Sequence, residues 1–321
     1  MNASRTIPAR INGITCEAAN ISLYELGAAN GLALAPFSAG AHIDLHLGNG
    51  LTRSYSLINS PADRDRYVIG VKKETDGRGG SRYIHEQLRV GDLIEVSPPI
   101  NNFELQEHAP RSILIAGGIG ITPLACMSRR LEEIGQPWEL HYAARSRESA
   151  GFVEQLAAFG PKVHFYFPSE FCPRPQADRI DLDRIVRAAP PGAHIYCCGP
   201  HKMLAAFQEA TAEYPVGQTH VEFFSNPDAI ATDGSFEVVL AKSGLTFEIP
   251  VGRTILEILL ERGFDAPFSC LEGVCSSCET RVVSGVPDHR DLILTSEERS
   301  TGDRMMICCS RAKSRTLILD L

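Results

Sequence analysis

The segment Cys270-Leu-Glu-Gly-Val-Cys275-Ser-Ser-Cys278, completed by Cys308 after 29 further residues, decides how this 321-residue chain is organised. Three thiolates within nine residues and a fourth at a distance match the ligand spacing of a 2Fe-2S cluster. Iron in such a cluster prefers soft thiolates, and a tight loop eased by Gly273 presents three sulfurs to its own backbone N–H groups. A zinc site is the main competitor. Four-cysteine zinc sites usually come as two short C-x2-4-C pairs, and here one pair is replaced by a lone distant cysteine. Cys309 adjoins Cys308, so spacing alone leaves the fourth ligand open between them.

The length gives room for two or three domains. Hydrophobic content of 44% and charged content of 22% are those of a soluble globular protein. A net charge of −8 argues against nucleic acid or an anionic membrane as partner. The N-terminus lacks the basic and apolar regions of a secretion signal. The best apolar stretch, Ile113 to Ala125, is broken by glycines and Pro123, which excludes a membrane span. A cytoplasmic location follows, where the cysteines stay reduced and a disulfide framework is not expected.

Outward from the cysteines, the chain changes rhythm twice. The first hundred residues read as short strands, including His42-Ile-Asp-Leu-His-Leu, Tyr67-Val-Ile-Gly-Val-Lys and Asp92-Leu-Ile-Glu-Val-Ser, with one helix near Ser81–Leu88. That pattern predicts a small antiparallel barrel. From Arg111 strands alternate with helices: Ser112-Ile-Leu-Ile-Ala, Glu139-Leu-His-Tyr-Ala-Ala, Lys162-Val-His-Phe-Tyr-Phe and His194-Ile-Tyr-Cys-Cys are strands. Helices are expected over Pro123–Gly135 with Thr122 as N-cap, over Gly151–Phe159 and over Lys202–Ala212. Alternation of this kind predicts a parallel sheet. After a polar linker, Phe236–Leu240 and Thr246–Ile249 read as a hairpin and Thr254–Arg262 as a helix.

Three glycine-bearing segments carry chemistry. Gly117-Gly-Ile-Gly-Ile-Thr-Pro123 follows a strand and opens a helix, so its amides suit a pyrophosphate. Pro123 replaces the last glycine of the dinucleotide fingerprint, which leaves the signal weak by itself. Cys197-Cys-Gly-Pro200 ends another strand of the same sheet, where ligands of such folds collect. Arg53-Ser-Tyr-Ser-Leu57 and Gly77-Arg-Gly-Gly-Ser81 together offer a cation, hydroxyls and bare amides for a phosphate. Tyr142-Ala-Ala-Arg-Ser-Arg147 has no acid for a ribose hydroxyl, and Arg145 and Arg147 could accept a 2′-phosphate. The histidines show no pairing at metal spacing and are assigned no role; Cys16, Cys126 and Cys172 read as packing residues or surface thiols.

These segments, in this order, with Asp288-His-Arg-Asp291 and Cys308-Cys-Ser-Arg-Ala312, resemble the phthalate dioxygenase reductase family, which includes vanillate demethylase reductases. The resemblance covers essentially the whole chain. It implies a multidomain fold: an FMN-binding antiparallel β-barrel at 1–105 and an NADH-binding, ferredoxin reductase-like α/β domain at 106–225. A linker at 226–235 and a plant-type ferredoxin domain of β-grasp type at 236–321 complete it. It selects Cys308 as fourth ligand beside Cys270, Cys275 and Cys278, and gives Cys309 a packing role. FMN would be held by Arg53, Tyr55, Ser56, Leu57, Val71, Lys72, Gly80 and Ser81, with Thr122 and Phe224 approaching it. NADH would meet Gly118, Gly120, Thr122, Pro123, Arg145, Cys198, Gly199 and Pro200. The implied activity is electron transfer from NADH through FMN and the 2Fe-2S cluster to a Rieske-type oxygenase of aromatic catabolism. No protein acid or base is required, and three autonomous domains are compatible with a monomer. The alternatives are a reductase for a non-Rieske monooxygenase, or an electron carrier or redox sensor without turnover.

Overall fold

A computed structural model describes residues 6–75, 77–168, 180–226 and 234–321. Cys172 and most of the expected linker lie outside the described residues. The chain divides into two units, Arg5–Glu222 and one containing Phe223–Leu321.

The first unit begins with a curled antiparallel sheet. Its strands are β1 (Ile7–Ala18), β2 (Ile21–Ala28), β3 (His42–His46), β4 (Thr52–Ser56), β5 (Tyr67–Lys72) and β6 (Leu93–Val96), in the order β4-β3-β6-β1-β2-β5. A bridge from Leu57 to Ile69 joins the end of β4 to β5 and curls the sheet back on itself. Alternate residues such as Ala9, Ile11, Ile43 and Leu45 fill the interior, because successive side chains of a strand point to opposite faces. Helix α1 (Gly80–Gln87) follows β5. The β1–β2 hairpin carried no clean sequence signal because register shifts between Ile11 and Gly13 and between Cys16 and Ala18 break the period of two.

A five-stranded parallel sheet completes this unit: β7 (Ser112–Gly117), β8 (Trp138–Ala143), β9 (Val163–Tyr166), β10 (His194–Cys198) and β11 (Thr219–Glu222), ordered β11-β10-β7-β8-β9. The order reverses at β7, so the carboxyl ends of β7 and β10 face one crevice. Helices α2 (Ile121–Glu133), α3 (Val153–Ala157), α4 (Leu182–Ala188) and α5 (His201–Ala210) connect the strands. The expected first turn of α2 is corrected. Gly120 is the N-cap, a 3-10 turn spans Gly118–Gly120, and the Thr122 hydroxyl donates back to Ile119 O at 3.0 Å instead of capping. Pro123 is tolerated at the third helical position, where its missing N–H would find no partner within the helix. The third helix is only five residues, shorter than its periodicity suggested.

The second unit holds β12 (Phe236–Leu240), β13 (Thr246–Ile249), α6 (Ile255–Glu261), β14 (Glu279–Ser284), β15 (Pro287–Asp288), α7 (Ser296–Thr301), β16 (Arg304–Met306), β17 (Arg311–Ala312) and β18 (Thr316–Leu319). Its main sheet runs β13-β12-β18-β14-β16. Thr254 caps α6 in a reciprocal box with Glu257. Ile255, Leu256 and Leu259 bury the helix against Val238, Leu317 and Leu319. Among the described residues no helix is long and apolar enough to cross a membrane.

Candidate functional site

The loop between α6 and β14 brings Cys270, Cys275 and Cys278 to one place, and the turn after β16 adds Cys308; all four are buried, between 3% and 8% exposed. Three residues in six adopt positive φ: Leu271 (61°), Gly273 (70°) and Ser276 (58°). Such winding turns successive amides inward. Glu272 N and Val274 N each point at Cys270 Sγ at 3.4 Å, and Cys270 N points at Cys275 Sγ at 3.4 Å. Gly273 is required twice over. A side chain there would meet Cys309 Sγ at 2.4 Å and Asp291 Cα at 2.9 Å. Its carbonyl also accepts from Leu292 N at 2.9 Å.

The thiol chemistry supports a metal. Hydrogen bonds from Cys275 and Cys308, then from the Glu272 and Val274 amides, hold Cys270 far below the usual thiol range. The Cys270 sulfur pushes Cys275 far up, and Cys270, Cys278 and Cys309 together push Cys308 far up. The Cys270 thiolate therefore forms readily while thiolates at Cys275 and Cys308 are opposed by it, a repulsion that thiolate-binding iron would offset. Asp291, buried in the family-like segment, clamps the neighbouring loop by accepting from Leu294 N at 2.8 Å and Ile293 N at 3.2 Å. Cys309 is fully buried and packs beneath the cysteine loop.

In the first unit Arg53, on β4, lays its stem against the start of α1. A side chain on Gly80 would sit 2.6 Å from Arg53 Cγ and Nε. Arg53 donates to Arg78 O at 3.2 Å and to Thr52 O at 2.7 Å, which fixes the guanidinium beside the helix N-terminus. That terminus has no side-chain cap and no acidic residue in its first turn, so its amides remain for an anion. Ser56 Oγ is buried without a hydrogen-bond partner among the described residues, and Leu57 and Val71 are fully buried. Burial pushes the Tyr55 phenol well above its usual range. Ser81 Oγ accepts from Glu74 N at 3.1 Å, and Lys72 pairs with Glu74 at 2.6 Å, tying the end of β5 to the same helix. An orphaned hydroxyl and an uncapped helix beside a fixed arginine fit a flavin phosphate.

The two loops of the parallel sheet touch through backbone. A side chain on Gly120 would lie 2.3 Å from Cys198 O, and one on Gly199 would lie 3.1 Å from Gly117 N. The same turn packs against the barrel: Thr122 Cγ2 stands 3.0 Å from where a side chain on Gly70 would begin. Gly118, Gly120, Thr122, Pro123, Cys198, Gly199 and Pro200 thus lie on two touching loops, of which Thr122 reaches the strand that carries Val71. Arg145 is exposed beyond the end of β8. Phe224 belongs to the second unit and is 41% exposed.

Sequence reasoning missed Glu222, at the end of β11. The residue is half-buried with its Oε2 shielded from solvent, desolvation raises its carboxyl to about 8, and it hydrogen-bonds the Cys198 thiol, which burial and this neighbour push well up. Glu222 Oε2 has no partner among the described residues. Only a correct assignment of β11 could have shown that this acid faces the cysteine one strand away. Among the other cysteines, Cys126 is buried and donates to Asn59 O at 3.2 Å, while Cys16 is exposed.

Two family descriptions match the chain: a 2Fe-2S iron-sulfur cluster binding domain over residues 238–313 and an oxidoreductase FAD-binding domain over residues 8–105. With the thiol pocket and the anion sites, they define a flavin- and iron–sulfur-dependent oxidoreductase. The chain is 52% identical to phenoxybenzoate dioxygenase subunit beta of Ectopseudomonas oleovorans, over 100% of both chains. It is 44% identical to tetrachlorobenzoquinone reductase of Sphingobium chlorophenolicum, over 100% of this chain and 99% of that one. A solved phthalate dioxygenase reductase, whose modular structure transfers electrons from pyridine nucleotides to a 2Fe-2S centre, matches with a TM-score of 0.76 at 37% identity, covering 98% of each chain. This chain belongs to the phthalate dioxygenase reductase family.

Proposed function

We propose that the chain carries electrons from NADH through FMN to its 2Fe-2S cluster and on to a Rieske-type terminal oxygenase, as a cytoplasmic monomer. Residues 1–105 serve FMN, 106–225 NADH and 236–321 the cluster, with 226–235 as linker. The observation that carries this reading is the packing of the Gly117–Pro123 turn onto both Cys198 and Gly70, which sets a nucleotide loop against the flavin strand. When bound, the flavin takes electrons in pairs and gives them up singly, and the cluster takes one at a time.

The protein's part is positioning. Arg53 and the α1 amides hold the flavin phosphate, Ser56 offers its unpaired hydroxyl, and Leu57 and Val71 keep water from the ring. A terminal phosphate at an uncapped helix favours FMN over FAD. Gly118, Gly120 and Pro123 shape the pyrophosphate turn. Cys270, Cys275, Cys278 and Cys308 hold the iron, and the amides of Glu272 and Val274 stabilise the charge on sulfur.

Iron, sulfide and flavin analysis of anaerobically purified protein, followed by titration with NADH and with NADPH, tests the reading. The expected result is two irons and one FMN per chain, with both chromophores bleached by NADH at a lower concentration than by NADPH. Zinc in place of iron overturns it. Reconstitution with Rieske-type and other oxygenases, set against direct turnover of a quinone, distinguishes the acceptor.

A further inference from the structure

The parallel sheet carries a second cluster of ligating side chains, unconnected with electron transfer. On β8, Trp138, Leu140 and Tyr142 pack into the core with α2, so the alternate residues Glu139 and His141 face the other side. His164, on β9, pairs in register with His141. One ligand atom from each of Glu139, His141 and His164 lies within 4.8 Å of the others. Sequence gave no hint of this, because His141 and His164 are 23 positions apart and meet only through strand pairing.

The surroundings are those of a ligand set. His141 Nδ1 hydrogen-bonds Tyr166 Oη at 2.8 Å, the outer contact that orients a metal-binding imidazole, and its Nε2 lies 3.9 Å from Glu139 Oε1. Glu139 Oε2 is held by Arg111 at 2.9 Å, leaving Oε1 for a cation. The neighbouring His141, together with Arg111, keeps the Glu139 carboxyl ionised, at about 2. Burial and the adjacent His141 lower the His164 imidazole, which favours its neutral, metal-binding form.

We propose that Glu139, His141 and His164 form a binding site for a borderline divalent transition-metal ion, of which zinc is the probe of choice. Imidazole and carboxylate ligands suit such ions, and a water fills the fourth position. Ligand atoms around tetrahedral zinc lie about 3.4 Å apart, so the side chains close by up to about 1.4 Å, a movement open to the exposed His164. Arg111 places a positive charge on the same carboxylate and weakens its hold on a cation. A bound ion braces the middle of β8 to the edge strand β9 across the His141–His164 pair.

The test is equilibrium dialysis of cofactor-loaded protein against zinc ions, with flavin and cluster absorbance followed throughout. One saturable zinc per chain is expected, with unchanged absorbance. His164→Ala and Glu139→Gln should each weaken binding at least tenfold. Absence of saturable uptake, uptake that proceeds only as iron is lost, or parental affinity in either variant overturns the proposal.

Discussion

Gly120→Ala separates conformational freedom from close approach. Gly120 has φ −61° and ψ −5°, a conformation open to any residue, so alanine meets no backbone strain. Its new methyl would stand 2.3 Å from Cys198 O, 2.5 Å from Cys198 C and 2.7 Å from Gly199 N. All three are backbone atoms, and no side-chain rotation relieves them. Ordinary contact needs about 3.5 Å, so the two loops must part by about 1 Å. Overpacking of this kind costs about 1–3 kcal/mol, and a 1 Å misplacement of reacting groups costs about 100-fold in rate. The assay is anaerobic stopped-flow mixing with NADH, reading the bleaching of flavin absorbance, with flavin and iron contents measured beforehand. Flavin reduction should slow about 100-fold while both contents match the parent. Gly135→Ala is the control. Gly135 has φ +70° with open space around it, so the substitution costs about 1–2 kcal/mol of stability through the left-handed backbone and leaves the rate unchanged. A Gly120→Ala protein that is reduced within threefold of the parent rate would refute the claim that this backbone contact positions the nucleotide.

Cys308→Ala should abolish iron binding and cytochrome c reduction while flavin reduction by NADH stays within twofold of the parent; loss of both activities contradicts independent sites. Arg53→Met should weaken FMN retention at least tenfold, about 1.4 kcal/mol, read as fluorescence released on dilution, and unchanged retention removes Arg53 from the phosphate site. Glu222, raised by burial from 4.5 to about 8, keeps in the folded state a proton that the unfolded chain releases. Its stabilising contribution is therefore complete below about pH 4.5 and lost as pH rises to about 8. Glu222→Gln should flatten that decline in the thermal release of flavin between pH 5 and 8, and equal slopes in the two proteins would count against it.

What could be read from the amino acids alone followed local chemistry. The cysteine spacing, the short helix expected over Thr254–Arg262 and the apolar strands at Ser112 and His194 are statements about neighbours in sequence, and each has its counterpart in the fold. Features made by tertiary proximity were not legible. Gly120 reads as one of several glycines until Cys198 O is found against it. Thr122 looks like a cap because its hydroxyl precedes a proline, yet the 3-10 turn before it moves the helix start back by two residues. Leu271 and Ser276 carry positive φ without being glycine or asparagine, so the winding of the cysteine loop announces itself only at Gly273. His141 and His164 are another case, since only pairing of β8 with β9 makes them neighbours.

The helix starts of this chain fall into two kinds, capped and uncapped. Asp181, Thr254 and Thr295 cap α4, α6 and α7 with their own side chains. The short α3 has no such cap, but Glu17, from β1, accepts from Phe152 N at 2.5 Å in its place. Among the described residues, α1, α2 and α5 alone begin with no hydroxyl or carboxylate acceptor, at Gly79, Gly120 and Pro200. The first backbone N–H groups at such an end lack partners within the helix, Pro123 and Pro200 having none to offer, and a cap would satisfy one of them with a fixed negative charge or dipole. A built-in acceptor there would compete with a phosphate for the same donors. Its absence at the starts of α1 and α2, each abutting a glycine loop that sequence alone had singled out, fits the flavin phosphate and pyrophosphate sites proposed above. The cluster loop reaches the same end by another route, since its amides turn toward sulfur and away from any carbonyl of a regular element. On the proposed assignment the backbone supplies the donors in each case, so that glycines and missing caps, more than charged residues, would mark the cofactor sites.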